Sequence, residues 1–310
     1  MVTTGIDRIC VSVRDMQESL FFFRDRAGMN IISDQQLDPS AVQKLWNLLE
    51  GTTARSVYLK NSLQPTVVQL IEFRPGTDKS IRGDADTWDF GIYDICFVVK
   101  DLETTWKELV KNGFSFLSPP QFYSPDWVPF DVKEAILMGP DEMPIAHAEI
   151  IPPLEPVMKE EYGMMFDSAQ IVPDMDEAIH FYRDILGLDK GDDNDWTGLA
   201  DELLKLPQGT GMRMVLFNKE GSGAPAVECI TFSMPGKKLS HAARPPNLGI
   251  FSISFETDDL SEMINTFNKE GVVLLSEPVH MKLDPWGIIN TVIVEGPGNV
   301  MVELFEKQTS

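Results

Sequence analysis

Two glutamates stand inside apolar, strand-like runs of this 310-residue sequence, Glu228 in AVECITF and Glu303 in VMVELFE. A carboxyl on the buried face of a strand loses the hydration of its charged form, so its pKa rises and it becomes an acid or base usable near neutral pH. The same placement also suits a structural carboxylate held by a cap or an ion pair. Arg8, in the opening run GIDRICVSV, raises the complementary question of what neutralises a guanidinium on a strand. The histidines are scattered. His180 shares helical spacing with Asp176, Arg183 and Asp184 in DMDEAIHFYRD, which places it on a solvated face. His241 lies in the basic loop KKLSHAARPPN, His280 in EPVHMKLDPWG ahead of a strand-like run, and His147 in IAHAEI. Cys10, Cys96 and Cys229 each fall within an apolar run, too far apart for a C-x-x-C motif, and read as buried free thiols.

The elements that carry these residues repeat. DMQESLFFFRDRAGM at Asp15 returns as DMDEAIHFYRDILGL at Asp174, GTTAR at Gly51 as GTGMR at Gly209, and VVQLIEF at Val67 as AVECITF at Ala226. FLSPPQFYSPDW and LLSEPVHMKLDPW end at Trp127 and Trp286, and the shift stays between 157 and 159 residues, so the chain is a tandem duplication. Within each half a weaker repeat appears: an alternating strand, an Asp in N-cap position, an amphipathic helix closed by glycine, then further alternating strands. The unit is βαβββ, and it occurs four times. Residues 1–152 form the N-terminal domain, the proline-rich, charged stretch 153–163 a linker, and 164–310 the C-terminal domain.

No apolar run reaches the roughly 18 residues of a membrane span, and Asp7 and Arg8 interrupt any secretory signal, so a cytoplasmic protein is expected. The formal charge of -22 argues against nucleic acid and anionic membranes as partners and leaves a small molecule. Because the halves are fused, a monomer or a homodimer is expected.

The paired βαβββ units, the pattern D-[ML]-x-x-[AS]-x-x-F-[YF]-R-D-x-x-G at the first helix and a closing strand of the form G-P-x-[GN]-x-x-x-E-L resemble the vicinal oxygen chelate superfamily of glyoxalases, bleomycin-resistance proteins and extradiol dioxygenases. The resemblance implies an α+β fold: two tandem glyoxalase-like domains, each a cupped, mostly antiparallel sheet with flanking helices. It also implies four positions per paired unit where metal-using members place His or Glu. In the first half these are Arg8, Gln69, Asp94 and Ala146, which look like a lost metal site: a guanidinium cannot ligate a cation and alanine offers no donor. His147 and Glu149 fall on the opposite face from Ala146 by strand alternation. In the second half the positions are Asp167 or Ser168, Glu228, Ser252 and Glu303, which lack both histidines of an iron site.

No metal and no other cofactor is therefore expected. The resemblance places Glu228 and Glu303 in one cup as acid and base, with His280 at its rim as a third catalytic candidate and Asp167, Ser168, Arg213, Ser252 and Trp286 as substrate contacts. Arg8 and Arg55 are the cations of the first cup, and Arg8 is expected to pair with Asp94 across two strands. Phe21, Phe22, Phe23, Trp46, Tyr123, Trp127, Trp196 and Trp286 are the aromatics available for walls. The function so implied is a metal-independent lyase or isomerase acting on an apolar, aromatic or polyketide-like molecule by carboxylate chemistry. The alternatives are a small-molecule binding or resistance protein, whose acidity would suit a cationic drug, and an extradiol-type ring-cleavage dioxygenase.

Overall fold

Alternation and capping build the four units as their sequences require. A computed structural model describes residues 3–125, 128–153, 160–239 and 243–308; most of the linker stretch 153–163, Trp127 and His241 lie outside the described residues. Unit 1 comprises β1 (Thr3–Ser12), α1 (Met16–Phe23), β2 (Asn30–Gln36), α2 (Pro39–Leu45), β3 (Thr53–Lys60) and β4 (Val67–Arg74). Unit 2 comprises β5 (Gly91–Ile92), β6 (Cys96–Val99), α3 (Leu102–Lys111), β7 (Ser115–Phe116), β8 (Gln121–Tyr123), β9 (Asp131–Met138) and β10 (Pro144–Ile151). Unit 3 runs through β11 (Tyr162–Ile171), α4 (Met175–Ile179), which continues as a π-helix over His180–Ile185, β12 (Asp189–Thr197), β13 (Gly211–Asn218) and β14 (Ala226–Phe232). Unit 4 holds β15 (Gly249–Thr257), α5 (Leu260–Glu270), β16 (Val279–Leu283), β17 (Gly287–Glu295) and β18 (Met301–Lys307).

Each principal helix starts on an aspartate whose carboxylate accepts free backbone N–H groups of the first turn: Asp15 from Gln17 at 2.7 Å, Asp101 from Thr104 at 3.1 Å, Asp174 from Asp176 at 2.8 Å and Asp259 from Glu262 at 2.8 Å. In α5 the stop is Gly271 at φ 76°, a left-handed cap that a side chain would strain. In every unit the closing strand returns parallel to the first, as β4 on β1, β10 on β6, β14 on β11 and β18 on β15; the other ladders are antiparallel.

The first strand of each unit thus has one edge taken and one edge free, and the repeat does not say which partner the free edge takes. In the structure β1 pairs with β15, and β6 with β11. Units 1 and 4 therefore share an eight-stranded sheet, β16-β17-β18-β15-β1-β4-β3-β2, while units 2 and 3 share a ten-stranded one, β12-β13-β14-β11-β6-β10-β9-β7. Each cup takes one unit from each half, so the four-position sets read along each half are regrouped. A continuous core joins α1, α3, the α4–π segment and α5 to one face of both sheets, with Phe22, Phe97, Tyr182, Phe255 and Phe267 fully buried in it. The opposite faces curl inward as two separate cups with cores of their own.

Candidate functional site

The cup of units 2 and 3 contains a cavity of about 320 Å³. Strand alternation aims Val132, Glu134 and Ile136 of β9, Ala146, Ala148 and Ile150 of β10, Asp167, Ala169 and Ile171 of β11, and Glu228 and Ile230 of β14 into it. Asp94 enters from the break between β5 and β6, and residues 199–204 cover part of it. Tyr93, Tyr123, Phe130, Phe166 and Trp196 supply aromatic wall. Among the described lining residues there is no Lys, Arg or His, and there are five acids: the exposed Asp192, and Asp94, Glu134, Asp167 and Glu228 within.

These four inner carboxyls are crowded and poorly solvated. Asp94 and Asp167 are 4% and 6% exposed, and one oxygen of each, Oδ1, is buried without a hydrogen-bond partner. Burial pushes Asp94 from 3.8 up to about 8, with repulsion from Glu134 adding to it and the Ala169 N–H and the Arg82 charge giving partial relief. Asp167 rises well above its ordinary range through burial and then through Glu228, Asp94 and Glu134. Glu228 rises well above its own through burial and then through Asp94 and Glu134; the surface it retains is cavity wall. Glu134 is also raised by burial, eased by the Tyr123 hydroxyl that donates to it. Protons in such a cluster belong to the group rather than to single residues, and several are retained at neutral pH.

The cup of units 1 and 4 is built from equivalent strands and is filled. Helix α2 and Trp46 lie in it, Trp46 meeting Phe73 and Phe251 edge-on at 5.5 and 5.8 Å. Arg8, fully buried, sits at its centre: Nη2 is 3.0 Å from Glu303 and Nη1 3.1 Å from Asp7, with the guanidinium 4.8 Å from the Trp286 ring and 4.3 Å from Phe305. Burial alone would raise Glu303, but Arg8, Ser254 and Thr291 together hold it below its ordinary value. Thr291 donates to Glu303 at 2.8 Å and Ser254 donates to its other oxygen.

This arrangement corrects several expectations. Arg8 pairs with Glu303 and Asp7, not with Asp94, which belongs to the other sheet. Glu303 is separated from Glu228 for the same reason and is an ion-paired structural group. Gln69, with Arg8 in the filled cup, donates to Tyr58 and Ser56. Ser252 faces Cys10 in that sheet and donates to the Ile253 carbonyl. Trp286 lies over Arg8 and donates to Asp7 at 3.3 Å. His280 is exposed on the edge strand β16 with Nδ1 2.9 Å from the Asn290 side chain. Arg213 alternates out of the cavity, unlike Met212 and Met214, and pairs with Asp193; Arg55 pairs with Asp34. Ser168 points away from the cavity and donates to the Asp94 carbonyl at 3.1 Å, so Asp167 is the inward residue.

Of the expected site residues, the open cavity brings together Asp94, Ala146, Asp167 and Glu228; of the aromatics, it takes Tyr123 and Trp196. His147 does lie on the face opposite Ala146, buried, with Nε2 2.9 Å from the Tyr162 hydroxyl, and Glu149 accepts the Leu102 N–H at the start of α3. Glu134 was not anticipated. Its signal was its place between Val132 and Ile136 on the inner face of DVKEAILM.

A family model described as Glyoxalase/Bleomycin resistance protein/Dioxygenase superfamily matches residues 5–124 and 165–304. The chain belongs to this superfamily. Among solved structures, glyoxalase I from Zea mays is similar at 13% identity over 98% of this chain and 93% of that one, with a TM-score of 0.65. A point mutant of the same Zea mays enzyme gives 14% identity, the same coverage and a TM-score of 0.66. No curated protein sequence matches the chain. At these identities the likeness shows the fold, which hosts more than one chemistry.

Neither cup of this superfamily member fits the metal that the resemblance implies. In the filled cup a guanidinium stands among the four positions, itself a cation. In the open cup they are Asp94, Ala146, Asp167 and Glu228, an alanine and three acids with no imidazole, and among the described residues no three His, Cys, Asp or Glu side chains are grouped to hold an ion. Among the described residues no helix is long and apolar enough to cross a membrane.

Two outcomes follow from the contrast between the cups. Glu303→Ala leaves Arg8 without its closest acid partner other than Asp7 and is expected to lower stability by about 3–5 kcal/mol, whereas the double variant Arg8→Met, Glu303→Leu recovers most of it; urea denaturation measures both. In the open cup the folded state holds protons that the unfolded chain releases. Stability contributed by Asp94 is fully present below 3.8 and is lost as pH rises toward about 8, at about 1.4 kcal/mol per pH unit per proton. Tm is therefore expected to fall between pH of about 5 and about 8, and Glu228→Gln to flatten that slope; a slope unchanged by the substitution contradicts the assignment.

Proposed function

We propose that the chain is a proton-transferring enzyme, a lyase or isomerase without a metal, acting on an apolar, aromatic or polyketide-like small molecule in the cup of units 2 and 3. The observation that carries this reading is the four-carboxyl cluster in the apolar cavity, two of whose members keep an oxygen with no partner. Superfamily membership supports an enzyme, and the cluster supports the type of chemistry.

A crowded set of carboxyls ionises in steps, so one member loses its proton while its neighbours retain theirs. The ionised carboxylate, with Glu134 as its seat because its rise owes nothing to a neighbouring acid and is eased by the Tyr123 hydroxyl, removes a proton from a carbon next to a carbonyl. Asp94, kept neutral near pH 7, donates a hydrogen bond to the carbonyl oxygen where negative charge develops. A neutral carboxylic acid in an apolar site can serve in this way as the electrophile of an enolisation. Returning the proton to a different carbon completes an isomerisation; expelling a leaving group from the β-carbon, protonated by a second acid, completes an elimination. Tyr123 orients Glu134 by donating its hydroxyl to it.

The test is exchange of carbon-bound protons with solvent deuterium in a panel of aryl-alkyl ketones, followed by proton NMR. Wild-type protein is expected to accelerate exchange in at least one of them, Glu134→Gln and Asp94→Asn each to reduce it by roughly 10²-fold or more, and His280→Ala to leave it unchanged. Binding of the ketones with no exchange above buffer would replace the enzyme by a binding protein, and exchange insensitive to both carboxyl variants would remove the cluster from the chemistry.

A further inference from the structure

The repeat makes each cup a control for the other. A shift of 159 residues carries Arg8 onto Asp167 and Gln69 onto Glu228, and a shift of 157 carries Glu134 onto Thr291. In the filled cup the position of Arg8 holds a cation with three kinds of support: a carboxylate at 3.0 Å, a second at 3.1 Å, and the faces of Trp286 and Phe305. In the open cup the same position holds an acid. Three further acids surround it, no basic side chain lines the cavity among the described residues, and the walls are again aromatic. Asp94 and Asp167, each more than nine-tenths buried, line the cavity, and each has a buried Oδ1 without a partner. A buried carboxyl oxygen with no donor is costly, and a charge-assisted bond from a ligand relieves it.

We infer that the ligand of the open cup carries a cationic nitrogen, an ammonium or guanidinium, on an apolar or aromatic body. The ligand's cation then does for this cup what the Arg8 side chain does for the other, pairing with Asp167 and Glu228 while its body fills the apolar volume. The size, about 320 Å³, is that of a small-molecule pocket. An aromatic and aliphatic wall favours an organic cation over a hydrated inorganic one, because the former brings apolar surface to bury and a weakly hydrated charge for the ring faces. This inference rests on the reading of the cavity as the working site and adds the charge of what it binds.

Three probes of one shape test it: 2-phenylethylguanidinium, 3-phenylpropanamide and 3-phenylpropanoate, cation, neutral and anion, titrated into full-length protein by calorimetry at pH of about 8. The guanidinium is expected to bind about tenfold tighter than the amide or better, with the carboxylate weakest, since a charge-assisted bond exceeds a neutral one by about 1 kcal/mol or more. Asp167→Asn and Glu228→Gln are expected to bring the guanidinium and amide affinities close to each other. Amide binding equal to or tighter than guanidinium overturns the cationic ligand while leaving the cavity as a binding site. No binding by any of the three overturns both. Equilibrium dialysis against zinc, manganese and magnesium completes the test: stoichiometric retention of an ion that is lost in Asp167→Asn makes the cation inorganic and overturns the inference.

Discussion

The free edge of the first strand in each βαβββ unit is the constraint on which the rest of this structure depends. The closing strand of a unit covers one edge of its first strand and leaves a row of unpaired N–H and C=O groups on the other. A cup closes only when two such edges meet, as β1 meets β15 and β6 meets β11. Because the partners come from opposite halves, the chain is two tandem copies in sequence and two shared cups in space. Every grouping of inward side chains, and with it the location of any chemistry, is set by those two ladders.

Once the cups are assembled this way, their different fates become intelligible. One is a solid core organised around an ion pair, in which Arg8 is offset by Glu303, Asp7 and two aromatic faces, while Thr291 donates to the Glu303 oxygen that faces Arg8 and Ser254 to the other. The other keeps its volume open and its carboxyls close together. Four carboxyls could not all ionise in so small an apolar space, so the cluster stores protons. The same crowding that makes it a poor contributor to stability makes it a set of acids and bases within reach of one bound molecule.

Much of this was legible in the sequence. The duplication, the fourfold unit and the aspartate caps follow from local pattern, because caps and strand alternation are short-range properties, while the positions of Arg8, Gln69, Asp94, Ala146, Glu228 and Glu303 were marked by the family resemblance. The pairing of units was not legible, since four similar edges compete and the repeat makes them alike. That single ambiguity moved Glu303 away from Glu228, gave Arg8 a different partner from Asp94, and hid the convergence of Asp94 with Asp167. Glu134 and Ser254 escaped for related reasons: Ser254 is one alternation step from the marked Ser252, and Glu134 lies on β9, a strand on which the family pattern marks no position, so only the assembled sheets show what each faces. Arg213 and His280 looked chemically apt, yet alternation and an edge strand turn them to solvent.

The central claim is that the cup of units 2 and 3 is a proton-holding site and the cup of units 1 and 4 is not. A carbon-13 NMR titration of the side-chain carboxyls addresses it most directly, with each resonance assigned by Asp→Asn or Glu→Gln substitution. The account requires Asp94 to titrate near 8, Asp167 and Glu228 to remain protonated well above the ordinary carboxyl range, and Glu303 to titrate below it. Ordinary titration of Asp94, Asp167 and Glu228 near 4 would contradict it.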